Sequence, residues 1–140
     1  MTNETTEKLF RSMFKDRKDI WIRKLRVDNN STPFDYLILT NKYNYAVEIK
    51  EWKVGKYFYP NQRIEPHQIA GLRNFDVIGN NFKSFVLINC KKNNIIFCIP
   101  ISVFIEHLSI KKFDINQMYG FFSKYIITFN KIGLNKLFLS

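Results

Sequence analysis

The segment from Pro33 to Trp52 constrains the fold most. Two runs rich in β-branched and aromatic residues, 35–40 and 45–50, flank the polar tetrad Asn41-Lys42-Tyr43-Asn44, the pattern of an antiparallel hairpin. In the second run Tyr45, Val47 and Ile49 alternate with Ala46, Glu48 and Lys50. Strand side chains alternate between faces, so one face is apolar and the other carries a carboxylate and an amine. Reading the tetrad as the turn pairs Thr40 with Tyr45 and sets Asp35 opposite Lys50, with Leu37 opposite Glu48. Asp35, Glu48 and Lys50 then project from one face. Directly opposed Cβ atoms lie about 5 Å apart and the Asp35–Glu48 diagonal spans roughly 7–8 Å. A hard cation with ligand distances of about 2.1 Å can bridge two carboxylates across it. A one-residue slip would turn Asp35 to the other face.

Around this hairpin the pattern predicts a helix over residues 4 to about 17, with Leu9, Phe10, Met13 and Phe14 at helical spacing. Residues 20–27 alternate apolar and basic and read as a strand edging the sheet, followed by a loop over 28–33. Residues 51–65, with Gly55 and Pro60, read as an extended connection; Pro66 suits the first turn of a helix reaching about Phe75. Residues 84–89 and 95–99 read as strands joined by Lys91-Lys92-Asn93-Asn94. Pro100 opens a short helix through His107, and 111–140 holds one helix near 115–124 and a final strand. That order predicts an α/β fold, a mixed central sheet flanked by helices, with 1–140 as one domain. No repeat and no linker is visible.

Composition bears on the partner. Hydrophobic residues are 46% and charged residues 24% of 140, the balance of a globular chain. Lys and Arg number 22 against 12 Asp and Glu, a formal charge of +10. Such an excess favours a polyanion, because neutralised phosphates release counterions, although basic proteins with other partners are common. Cys90 and Cys98 lie in apolar runs without metal or redox spacing, so buried free thiols are expected. The polar start Met1-Thr2-Asn3-Glu4 and the lack of a long apolar stretch give the expectation of a cytoplasmic protein without membrane contact.

The trio suits phosphodiester hydrolysis. A divalent metal on Asp35 and Glu48 polarises a phosphoryl oxygen and acidifies a water, and a lysine stabilises the charge that grows on phosphate. The bland alternative is a solvated strand face beside an unrelated Asp35, since a bare E-x-K recurs by chance. Glu7 shares the core-facing stripe of Phe10 and Phe14, and an inward carboxylate needs a partner such as a metal or its waters. A solvated first-turn Glu is the rival reading, and Glu4 is the alternative residue. Gln68 shares the apolar stripe of Leu72 and Phe75, where its amide would orient water or phosphate, or sit as a satisfied core glutamine. His67 is a weaker candidate base, beside Pro66; His107 shows only a helix-end position.

Taken in order, Thr32-Pro33-Phe34-Asp35-Tyr36, Glu48-Ile49-Lys50-Glu51, His67-Gln68-Ile69 and Ser84-Phe85-Val86-Leu87-Ile88 resemble the PD-(D/E)xK Holliday-junction resolvases, the bacterial RecU type above all. Glu7, Phe10 and Phe14 fit an archaeal-resolvase-like start. The resemblance covers about residues 4–108. It implies a restriction-endonuclease-like fold, Mg2+ (with Mn2+ as a substitute), and a homodimer cutting two strands of branched DNA. By the same resemblance Asp35, Glu48 and the main-chain carbonyl of Ile49 hold the metal, Lys50 is the catalytic lysine, and Glu7 and Gln68 are accessory. The hairpin lacks the insertion and threonine-rich lead-in with which the RecU type enters a junction centre, which bears on junction specificity more than on strand cutting.

Lys15, Arg17, Lys18, Arg23, Lys24, Arg26, Lys53, Lys56 and Arg63 flank the trio in sequence and are the candidate DNA contacts, or an ordinary solvated surface. Tyr57, Phe58 and Tyr59 among them suit base stacking or core burial. No base-reading motif is visible, so phosphate contacts should dominate. Two rivals stand beside a structure-selective endonuclease: a sequence-specific restriction or transposition endonuclease with the same core, and a non-enzymatic nucleic-acid-binding or regulatory protein on this fold.

Overall fold

The structure, a computed structural model, describes residues 5–15, 17–25, 32–128, 130 and 133. A long connection decides its architecture. Strands β3 (Asn44–Trp52) and β4 (Phe82–Cys90) pair in parallel, and a parallel pair needs a crossover. The segment between them provides it as a short helix, α2 (Pro60–Arg63), and α3 (Pro66–Asp76). Other neighbours are antiparallel: β1 (Ile20–Lys24), β2 (Tyr36–Thr40), β5 (Ile95–Pro100) and β6 (Ile126–Ile127) complete a mixed six-stranded sheet in the order β1-β2-β3-β4-β5-β6. Helices α1 (Thr6–Ser12), α4 (Ile101–Ile105) and α5 (Ile115–Phe122) accompany it. The α/β class and the mixed sheet agree with the sequence reading.

Helices pack on both faces, so the central strands are buried on both. β4 is buried from Ser84 to Cys90, and Phe85 to Ile88 within it form the continuous apolar run of a doubly covered strand. Tyr45, Val47 and Ile49 enter one core with Phe10 and Phe14 of the α1 segment, Ile38, Phe85 and Leu87. Ala46 and Trp52 enter the other, with Leu72 of α3, Val86, Ile88, Phe104, Met118 and Phe122. Glu48 and Lys50 lie between Ala46 and Trp52 on this second face.

Several boundaries moved. The first helix is shorter than its periodicity suggests, ending at Ser12, and the 51–65 connection contains α2. The β2–β3 turn is two residues, not four: Thr40 N–H donates to the Tyr43 carbonyl at 3.0 Å, and the Thr40 hydroxyl donates to the same oxygen at 2.8 Å. The hydroxyl also accepts from the Tyr43 N–H at 3.0 Å, so this threonine closes the turn and draws Tyr43 into the ladder. The β4–β5 connection behaves as read, with Asn94 at φ 54° closing it in the left-handed region that asparagine tolerates. Cys90 and Cys98 are buried free thiols.

Candidate active site

The shorter turn changes the register by two residues. Tyr36 pairs with Val47 and Leu37 with Ala46, so extending the ladder sets Asp35 level with Glu48 rather than Lys50. An even shift preserves the face of every side chain, and the trio stays together. Asp35 itself stands just past the last ladder pair. Its N–H donates to the Val47 carbonyl at 3.1 Å, its carbonyl accepts from Leu25 N–H at 2.8 Å, and its carboxylate accepts the Ile49 N–H at 2.8 Å. A side chain thus satisfies the β3 donor just beyond the last ladder pair, and Asp35 is pinned in the gap where β2 leaves β3.

The approach to Asp35 is fixed from above. Pro33 presses on α3 at Gly71, where an added Cβ would meet Pro33 Cβ at 2.4 Å and its carbonyl oxygen at 2.7 Å. Phe34 follows into the core, its ring 5.6 Å from that of Phe75. Only glycine allows this contact, so α3 and the residues before Asp35 lock one another.

Glu48 is 1% exposed. Its Oε2 lies 3.1 Å from Lys50 Nζ, while its Oε1 is buried with no hydrogen-bond partner among the described residues. Burial first, and then the neighbouring Asp35 charge, push the Glu48 carboxyl up to about 7, with Lys50 pulling the other way. Burial likewise raises Asp35, opposed by the Ile49 N–H; Glu7 adds to the rise, and Lys50 and Lys24 oppose it. Two adjacent carboxyls therefore resist ionising together. That is a donor set short of positive charge: hard oxygens, one of them unused, beside a single ammonium. It fits a hard divalent ion such as Mg2+ or Mn2+. Among the described residues no three His, Cys, Asp or Glu side chains converge on one point. Two carboxylates suit Mg2+, which keeps several waters of its own.

Glu7 reaches the site differently from the sequence expectation. It is half-buried on α1, and its Oε1 takes Lys24 Nζ at 2.6 Å; it acts on Asp35 through its charge. The helix that carries it is anchored by Glu51, whose Oε1 accepts from both the N–H and the hydroxyl of Thr6 at 2.5 Å. Asn89 donates to the Thr6 hydroxyl at 3.1 Å, and Lys53 and Lys91 flank Glu51 at 3.3 and 3.7 Å. Burial works against the Glu51 charge, but the Thr6 bonds and the lysines outweigh it and hold the carboxyl below its ordinary range. Glu51 escaped the sequence reading because its task is to cap a helix remote in sequence.

Gln68 was expected to offer its amide to the site. Its oxygen instead accepts the Glu65 N–H at 3.0 Å, half of a capping box at the start of α3. His67 faces Glu65 at 3.2 Å, and His107 packs on Phe121 and Phe122 with ring centroids 4.6 and 4.8 Å away. Neither is in the trio's surroundings as described by its hydrogen bonds and charges.

The candidate DNA contacts divide. Arg17 is paired with Asp19 at 2.7 Å, Lys24 with Glu7, and Lys53 with Glu51. Arg63 donates to the Glu51 carbonyl and lies over the Phe58 ring. Lys56 lies over Tyr57. Lys15, Lys18 and Arg23 are exposed, and Arg26, like Glu4, lies outside the described residues. Phe58 is fully buried, and Tyr57 and Tyr59 are half-buried against each other. No helix among the described residues is long and apolar enough to cross a membrane.

No family model and no curated protein sequence matches the chain. Among solved structures it is similar to Archaeoglobus fulgidus Hjc, a Holliday junction resolvase from an archaeal hyperthermophile, at a TM-score of 0.48 and 14% sequence identity, over 69% of this chain and 70% of that chain.

Proposed function

We propose that the protein is a metal-dependent DNA endonuclease of the PD-(D/E)xK kind, acting on branched DNA. The observation that carries this is Glu48: a buried carboxyl with one unused oxygen, level with Asp35 and touching Lys50, is costly unless a cation completes it. Asp35, Glu48 and the Ile49 carbonyl would hold the ion, which supplies a Lewis acid and an acidified water. Asp35 is kept aimed by the Ile49 N–H. Lys50 keeps Glu48 oriented through its contact at 3.1 Å and offers its ammonium to the charge that grows on phosphate. Glu7 and Lys24 adjust the charge on Asp35 from the α1 side, and Gln68 acts by setting the start of α3. Net charge of +10 draws the polyanion. A homodimer would supply the two cuts that a four-way junction needs.

The test is purified protein with Mg2+ or EDTA on labelled four-way junction, flap, linear duplex and single strand. Mg2+-dependent nicking of the junction ahead of duplex is the expected result. Equal cutting of linear duplex would favour a restriction-type enzyme, and no cutting of any substrate would leave a binding protein.

A further inference from the structure

The face that holds the trio continues past it to the sheet edge. Trp21 pairs with Leu39 and Arg23 with Leu37 across β1 and β2. Ile20, Ile22 and Ile38 turn to the α1-side core, so Trp21, Arg23, Leu37 and Leu39 occupy the opposite face, that of Asp35. α3 packs over β3 and β4 and does not reach this edge with comparable contact. Trp21 is consequently 48% exposed and Leu39 38% exposed. Arg23 stands between them and the site and forms no ion pair with any described residue. Leu39 is four residues from Asp35, about 13 Å at strand rise.

Resting on the nuclease reading above, we infer that Trp21 and Leu39 form a platform on which an unpaired base of the DNA strand stacks, with Arg23 on the phosphate leading to Asp35. Every base has a π-face, so an exposed indole takes unpaired bases without regard to sequence, whereas bases stacked inside an intact duplex do not reach it. The platform would thereby select DNA with unpaired or splayed strands. Charge favours DNA over a second copy at this edge: another copy brings a further net charge of +10, and a nucleic acid brings phosphates. The aromatic cluster 57–59 does not compete for the role, since Phe58 is fully buried.

The test uses the whole chain in EDTA, where nothing is cut, with an oligo-dT strand and a blunt duplex of equal length as probes. The protein has two tryptophans and Trp52 is 6% exposed, so quenching on binding reports Trp21. Oligo-dT is expected to quench the emission. Trp21→Ala should weaken oligo-dT binding at least about fivefold and duplex binding less than about twofold, with Trp21→Phe retaining most of the wild-type affinity. Loss on neither probe, or equal loss on both, overturns the platform. So does a change of oligomeric state in Trp21→Ala with oligo-dT affinity intact, which would assign the patch to a second copy. The two proposals fail separately. Trp21-dependent oligo-dT binding with no cleavage of any DNA removes the nuclease alone, and Mg2+-dependent cleavage with Trp21-independent binding removes the platform alone.

Discussion

Replacing Glu48 with Gln should stabilise the metal-free protein at neutral and alkaline pH. The carboxyl titrates at 4.5 when free and at about 7 in the fold. Between those values the folded state holds a proton that the unfolded chain has lost, so stability is complete below the lower value and falls as pH rises through the upper one. Each pH unit of that interval costs about 1.4 kcal/mol, a total of about 3 kcal/mol. Glu48 is 1% exposed, so solvent screening does not reduce this appreciably. Gln keeps the shape and removes the titration. Urea unfolding in EDTA from about pH 4 to about pH 8 should give curves that coincide in acid and diverge to about 3 kcal/mol in favour of Glu48→Gln above neutrality. Mg2+ should reverse the order at about a thousandfold its Kd, where binding adds about 4.1 kcal/mol to the wild type and little to the variant. Parallel pH profiles for the two proteins would refute the buried, charge-frustrated carboxyl from which the metal site is inferred.

Three further outcomes follow from named contacts. Gly71→Ala should cost about 1–3 kcal/mol by overpacking against Pro33 and should slow cleavage as the approach to Asp35 shifts; thermal melts and rates check both. Glu51→Gln should loosen α1, at about 1–2 kcal/mol for weakening the Thr6 bonds, and the wild type should lose that contribution as pH falls below the ordinary carboxylate range; unfolding at two pH values measures it. DNA affinity should drop steeply with salt, and Arg23→Ala should lower the log–log slope by about one, whereas a flat salt response would contradict phosphate-led binding.

What was legible in the sequence was parity. Alternation through Tyr45, Val47 and Ile49 fixed which side of β3 faces α1, and hence that Glu48 and Lys50 share the other side. The count along the hairpin was not legible, because it turned on whether the Thr40 hydroxyl would close a two-residue turn. An error of two left the trio assembled; an error of one would have dispersed it. The Gly71–Pro33 contact and the Glu51–Thr6 cap were hidden because they join residues far apart in sequence through backbone approach and helix-end chemistry. Trp21 carried a signal in its place between Ile20 and Ile22, which turns it outward, but its relation to Asp35 needed the β1–β2 pairing. Glu7 was read onto the core-facing stripe with a metal or its waters as partner, and in the fold it is half-buried with Lys24, itself read as a DNA contact, taking its carboxylate.

The most direct measurement compares Mg2+-dependent cleavage of a labelled four-way junction by the wild type, Asp35→Asn and Lys50→Ala, with folding of each checked by circular dichroism. Both variants should remain folded and cut at least about a hundredfold more slowly, the scale of losing a charge-stabilising group. Wild-type rates in both folded variants would contradict the assignment of hydrolysis to this site.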